Sequence, residues 1–347
     1  MTEERWVLEA LRRLSIGERV GETLIAQAFG QVMRGEATSS QIGALLGGLR
    51  VQGETADEVA GTVRALRNAM IPVPLEGEYL IDTAGTGGGS VSTFNISTAA
   101  AFVAVGAGAR VAKHGNRSYS SRCGSADVLE AMGISTSVEA DDAAAMLDDA
   151  GFVFLFAPAF HPAMRHVGPV RRELGFQTIM NIVGPLANPA SVDRQLVGVA
   201  DRDRAPIVAE VLARLGTAHA LVVHADAGMD EIAPSGTTEF WEVREGVIER
   251  GTIDPRNLGL AFDDLESLAG GEPPENAARI EALFERPEGD PGGRAAVVLN
   301  AGAAIYVSGR ADSIASGMAA AMQSLGNGRA GEALARLRAV SPARTSG

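Results

Sequence analysis

The chain is 347 residues long, 46% hydrophobic and 21% charged but only 5% aromatic, with a net charge of −13. That length buries a large core in one big domain or two unequal ones. The acidity argues against a nucleic-acid or anionic-membrane partner, since both need a basic footprint; a single cysteine, Cys123, excludes an intramolecular disulfide.

The opening "MTEERWVLEALRRLS" is acidic and helical in pattern, with no apolar signal core. Residues 1 to about 70 read as short helices. Ile42, Leu45, Leu46 and Leu49 fall on one helical face, and Thr55 with Glu58 has the spacing of a capping box. The connector "IPVPLEGEY" is punctuated by proline, so a small helical domain is expected over 1–72 and a larger α/β domain over 73–347. Beyond the connector, short apolar runs at 79–82, 110–112, 152–157, 195–200 and 220–225 alternate with Ala-rich helical stretches such as 98–105 and 141–150. The stretch 239–252 reads as a hairpin, and the chain turns helical again from about 295. This alternation predicts an α/β fold, a central sheet covered by helices. The charged helical segment 162–180 is expected to return to the N-terminal helices, joining about 162–186 to them. Two uncharged stretches, 83–109 and 174–192, carry too much Gly, Ser, Thr, Asn and Pro for membrane spans, so a soluble, cytoplasmic protein is expected.

Four stretches carry chemistry. In "IDTAGTGGGSVSTFNIST" (81–98) a strand gives way to a glycine-rich turn and then a helix, so backbone N–H groups and a helix N-terminus can converge on an anion. Neither common nucleotide loop fits: Ser90 occupies the third glycine position of G-x-G-x-x-G, and no G-K-[ST] follows. Strand–turn–helix packing alone leaves the Thr, Asn and Ser cluster unaccounted for.

In "AKHGNRSYSSRCGSADVLEAMG" (112–133) stands Lys113, the only lysine among 30 basic residues. At a strand end it suits a site too narrow for guanidinium, or a single contact to phosphate, against the alternative of a surface survivor. Asn116, Ser120, Ser121 and Ser125 add neutral donors. His114 fits a structural hydrogen bond as well as a ligand contact, and Cys123 reads as an inert small residue.

The loop after the 220–225 strand holds Asp230 and Glu231. Adjacent carboxylates suit Mg²⁺, although by themselves such pairs are more often solvated. Finally, "FAPAFHPAMRHVGPVRRELGFQTIMNIVGPLANP" (156–189) offers Arg171 and Arg172 with little acid nearby, which leaves a carboxylate-bearing substrate possible.

Together these stretches resemble the anthranilate phosphoribosyltransferase family of tryptophan biosynthesis. The likeness rests on "GTGG" (85–88), "TFNIST" (93–98), "KHGNRSYSS" (113–121), "GSAD" (124–127), the 156–189 block and Asp230-Glu231, in order and spacing, and extends to "GEATSSQIGALLGGLRVQGET". The resemblance implies a homodimer formed through a small helical domain, with phosphoribosyl pyrophosphate and anthranilate as substrates and two Mg²⁺ ions per subunit. Gly85, Gly88, Gly89, Thr93, Asn95, Ser97, Thr98, Lys113, Ser120, Ser121 and Ser125 would hold the donor. Gly85, Asn116 and Arg171 would contact anthranilate, with His114 close by; Ser97, Asp230 and Glu231 would be metal ligands. No acid or base is assigned. Gly89 stands where the family pattern has aspartate, which predicts activity with a shifted magnesium response. A related transferase or phosphorylase acting on another aromatic acceptor is the nearest alternative. A non-catalytic nucleic-acid-binding relative is disfavoured by the charge of −13.

Overall fold

The computed structural model describes residues 5–118 and 122–341. Four helices come first: α1 (Trp6–Ser15), α2 (Glu22–Met33), α3 (Ser39–Gln52) and α4 (Ala56–Ala69). Then follow β1 (Leu80–Gly85), α5 (Ile96–Gly106), β2 (Arg110–Gly115), α6 (Ser125–Ala131), α7 (Ala140–Ala150) and β3 (Phe152–Phe156). Three short helices, α8 (Ala157–Phe160), α9 (Gly168–Leu174) and α10 (Ile179–Val183), lead into β4 (Arg194–Gly198), α11 (Ala205–Arg214) and β5 (His219–Ala225). A hairpin, β6 (Thr238–Arg244) and β7 (Val247–Ile253), precedes α12 (Pro273–Glu285), α13 (Pro291–Ser308), α14 (Ile314–Gly326) and α15 (Arg329–Val340).

The seven strands form one sheet in the order β3-β2-β1-β4-β5-β6-β7, with β1 to β5 parallel and the hairpin antiparallel. β5 is buried along its whole length, which is why it reads as an unbroken apolar run. The hairpin turns on Glu245 and Gly246, both at positive φ (50° and 81°), the twist that matches paired strands. α12 lies in a stretch for which the sequence suggested no element.

α5, α12, α13, α14 and α15 share one core on one side of the sheet. On the other side α11 packs on β5 and β6, and α4 packs on α11, so the N-terminal helices continue a second core. α9 and α10 lie against α3, and α10 also against α4. Thr55 and Glu58 do form a capping box, and Glu58 also accepts from the Val20 amide at 3.2 Å, tying two helix starts together.

One buried ion pair fastens the helices to the sheet layer. Arg204, just before α11, donates to both Glu54 carboxylate oxygens at 2.8 and 3.0 Å, with the two side chains 4% and 3% exposed. Removing one partner leaves an uncompensated buried charge. Arg204→Met is therefore expected to lower unfolding free energy by about 3 kcal/mol, and pairing it with Glu54→Met to restore much of that loss. Denaturant titration of the two single variants and the double variant checks this.

Candidate active site

Strand order reverses between β1 and β4, and in open α/β sheets ligands bind beyond the strand C-termini at such a switch point. Both strands end there in glycine, with Gly85 paired to Gly198. The β5–β6 loop folds over this gap. A Cβ on Gly198 would overlap the Asp230 carbonyl, and one on Gly85 would press on the Asp230 carboxylate. Gly198→Ala is expected to reduce kcat/KM about tenfold by displacing Asp230, with a stability loss of about 1–3 kcal/mol from overpacking. Steady-state rates beside a melting curve test it.

The glycine-rich loop is laid along the same segment. Gly87 and Gly88 take left-handed φ values of 66° and 77°, which only glycine adopts without strain. The Gly87 amide donates to Asp230 Oδ2 at 2.7 Å, Thr86 N to the Gly198 carbonyl at 2.9 Å, and Ser90 N to the Gly228 carbonyl at 3.0 Å. Gly89 packs so closely that a Cβ would meet the Gly228 carbonyl at 2.7 Å. A larger residue at 89 therefore requires the two loops to part. Gln177, from the loop between α9 and α10, closes over Gly88 from the other side.

Beneath the loop, the Ser97 amide in the first turn of α5 donates to Glu231 Oε1 at 3.1 Å. Lys113 is 2% exposed; its ammonium donates to the Thr83 carbonyl and lies 3.3 Å from both Thr83 Oγ1 and Ser97 Oγ. Burial pulls the Lys113 pKa down, while Asp82, Glu231 and Asp230 pull it back up. Burial likewise raises Asp230, and burial together with the Asp230 charge pushes Glu231 up to about 8. One lysine among three carboxylates leaves local negative charge in excess, which a divalent cation would offset.

Among the described residues no cluster of three His, Cys, Asp or Glu could hold a metal by itself. Two carboxylates and a hydroxyl with room for phosphate oxygens are the donor set that Mg²⁺ accepts, since it keeps several waters and shares substrate phosphates. The residues present fit that ion.

Asp82 is fully buried at the floor. Burial pushes it up to about 6 despite Lys113, and it accepts from the His114 amide at 3.2 Å and from Asn188 Nδ2 at 2.8 Å. Asn188 also donates to the Ala112 carbonyl, so the "NP" of the 156–189 block clamps β1 to β2 directly behind Lys113 and His114. The His114 ring lies 5.1 Å from that of His161, and burial drives His114 down to about 3, leaving it neutral.

The structure thus gathers Gly85, Gly88, Gly89, Ser97, Lys113, Asp230 and Glu231. Asn95 is engaged by the protein: its Nδ2 donates to the Cys123 carbonyl at 3.1 Å and its Oδ1 accepts from Asn276 at 3.0 Å. Thr98 is fully buried, Thr93 partly exposed. The Asn116 carbonyl accepts from Ser125 Oγ at 3.3 Å, holding that loop to α6. Arg171 is carried half-buried on α9. Ser120 and Ser121 lie outside the described residues. Asp82, Asn188, Gln177, Asn276 and Gly198 were not singled out from the sequence; only Asp82, a carboxylate closing the apolar run 79–82 and lying inside β1, carried a visible signal.

Two domains of the glycosyl transferase family match the chain, a helical bundle domain at residues 8–70 and an a/b domain at 77–331. The anthranilate phosphoribosyltransferase of Desulforudis audaxviator is 45% identical over 331 residues, 95% of each chain. A crystal structure of the Thermus thermophilus anthranilate phosphoribosyltransferase superposes with a TM-score of 0.88 at 40% identity, covering 95% of this chain and 98% of that one. The Saccharomyces cerevisiae enzyme, solved in complex with PRPP and Mg, superposes with a TM-score of 0.88 at 26% identity, covering 98% of both.

Proposed function

The chain belongs to the anthranilate phosphoribosyltransferase family, and from that premise we propose how its residues divide the work of moving a phosphoribosyl group from phosphoribosyl pyrophosphate to the amine of anthranilate. The observation that carries the reading is the convergence of the glycine-rich loop, the α5 N-terminus, Lys113 and the Asp230–Glu231 pair at the sheet's switch point.

With the Thr86 and Gly87 amides engaged by Gly198 and Asp230, the loop offers the donor's phosphates its remaining backbone at Gly85, Gly88 and Gly89 together with the α5 N-terminus, joined by Ser125 and by Thr93, Ser120 and Ser121. Asn95 and Thr98 serve the same end by fixing the entry to α5. Ser97, Asp230 and Glu231 would hold Mg²⁺, two ions per subunit, whose chemistry is to stabilise the pyrophosphate leaving group. Lys113 sits behind these carboxylates as their resident counter-charge and adds positive potential under the donor. Gly89 in place of aspartate leaves one acid fewer beside the pyrophosphate, which shifts the magnesium response.

Arg171, with Asn116 and Gly85, takes the anthranilate carboxylate in charge-assisted hydrogen bonds. His114, close by the anthranilate, is uncharged at neutral pH and adds no positive charge to the site. Anthranilate's aromatic amine is already unprotonated there, so no strong base is needed and positioning supplies much of the rate. We assign residues 1–72, joined by about 162–186, to a helical domain through which two copies pair, and 73–347 to the donor-binding domain; the packing of α9 and α10 on α3 supports this division. Among the described residues no helix is long and apolar enough to cross a membrane, which fits work in the cytoplasm.

Anthranilate fluorescence should fall on adding phosphoribosyl pyrophosphate, and only with magnesium present. Folded protein that leaves the signal unchanged at every magnesium concentration would overturn the reading.

A further inference from the structure

At the end of α5 opposite the glycine-rich loop, a cavity of about 290 Å³ opens between the Gly106–Gly108 turn and α15, lined by Arg310, Arg329, Glu332 and Arg336. α5 has 11 residues, so the two places are separated by about 16 Å of helix. Arg329, Glu332 and Arg336 are spaced three and four apart and share one face of α15. Arg310 follows α13, and its guanidinium is held over the Tyr79 ring, 4.3 Å from the centroid. Gly108, at φ 93°, makes room for it, since a Cβ there would overlap the guanidinium.

Many surface arginines elsewhere in this acidic chain are matched to carboxylates, and where single ones are not, as at Arg165 and Arg286, they do not gather in threes round a cavity. Arg117 meets Asp127 and Glu130, Arg202 and Arg250 meet Glu239, and Arg256 meets Asp254. Among the described residues Arg310, Arg329 and Arg336 form no ion pair, and Glu332 offsets only one of the three. Three like charges around one cavity repel unless something negative lies between them. The volume suits a small molecule rather than a macromolecular partner. Guanidinium forks match phosphate oxygens two at a time.

We propose that this cavity is a binding site for a small phosphate-bearing anion, separate from the donor site. The source is either free phosphate or a phosphorylated metabolite, and the two are distinguished by titrating the full chain calorimetrically with inorganic phosphate and, in parallel, with glycerol 3-phosphate, magnesium being chelated throughout. Binding by either probe should weaken about tenfold or more in Arg310→Gln and in Arg336→Gln, as the loss of one charge-assisted contact requires, with donor-dependent activity unchanged. A phosphomonoester bound more tightly than phosphate would identify the metabolite; equal binding would identify the free ion. Glu332→Gln removes the one opposing charge and should tighten binding several-fold, an arm that stands even where an arginine variant folds poorly. The proposal fails if neither probe binds, if both arginine variants bind as the parent does, or if Glu332→Gln leaves affinity unchanged.

Discussion

Replacing Lys113 with alanine is expected to cut kcat/KM by at least about 100-fold and to lower the stability of the metal-free protein by about 3–5 kcal/mol. The ammonium is the one cation among Asp82, Asp230 and Glu231, and it also satisfies the Thr83 carbonyl. Its removal strips three carboxylates of their shared cation, and the Ser97 hydroxyl loses a donor. Arginine is not expected to rescue the loss. A planar guanidinium cannot fit where a compact ammonium lies 3.3 Å from both Thr83 Oγ1 and Ser97 Oγ. Melting curves and steady-state rates for Lys113→Ala and Lys113→Arg decide the matter; an arginine variant with parental activity would refute the steric argument.

Glu231→Gln should move stability and activity in opposite directions. In the metal-free protein Glu231 is raised by burial and by its neighbour Asp230, so an isosteric neutral amide relieves repulsion. The melting temperature should rise, by on the order of 2 °C for each kcal/mol regained. Turnover should fall by at least about 1,000-fold, because the amide carries no charge to hold magnesium against the donor pyrophosphate. Added magnesium should raise the melting temperature of the parent and leave the variant nearly unmoved, since only a ligand bound by the folded state stabilises it. A variant less stable than the parent without metal would show that Glu231 is not under electrostatic strain.

The parallel strands were legible because a strand covered on both faces must be apolar throughout, as "ALVVHA" in β5 is. The capping box at Thr55 was legible because it is local. Strand order was not, because the jump from β1 to β4 spans more than a hundred residues and depends on non-local pairing. The same limit hid half the site's support. Gly198 matters only because Asp230 crosses it, and Asn188 only because it reaches back to Asp82. α12 escaped notice because a Pro-rich start disguises its apolar face, which carries Asn276 to Asn95.

α5 has almost no solvent face. Residues 98–105 are all buried, Phe102 stacks on Phe152 with centroids 4.7 Å apart, and Gly106 lies so close to Ser324 that no Cβ would fit. This is the helix whose first turn would cradle the donor, so its aim is set by contacts that never touch substrate. Drift along it is therefore epistatic. A methylene gained at Ala101 or Ala104 has no water to expand into and must be matched by a loss on α13, α14 or α15. Lineages of this enzyme are expected to exchange residues between α5 and these helices in compensating pairs, while the exposed face of α9 is free to change one residue at a time.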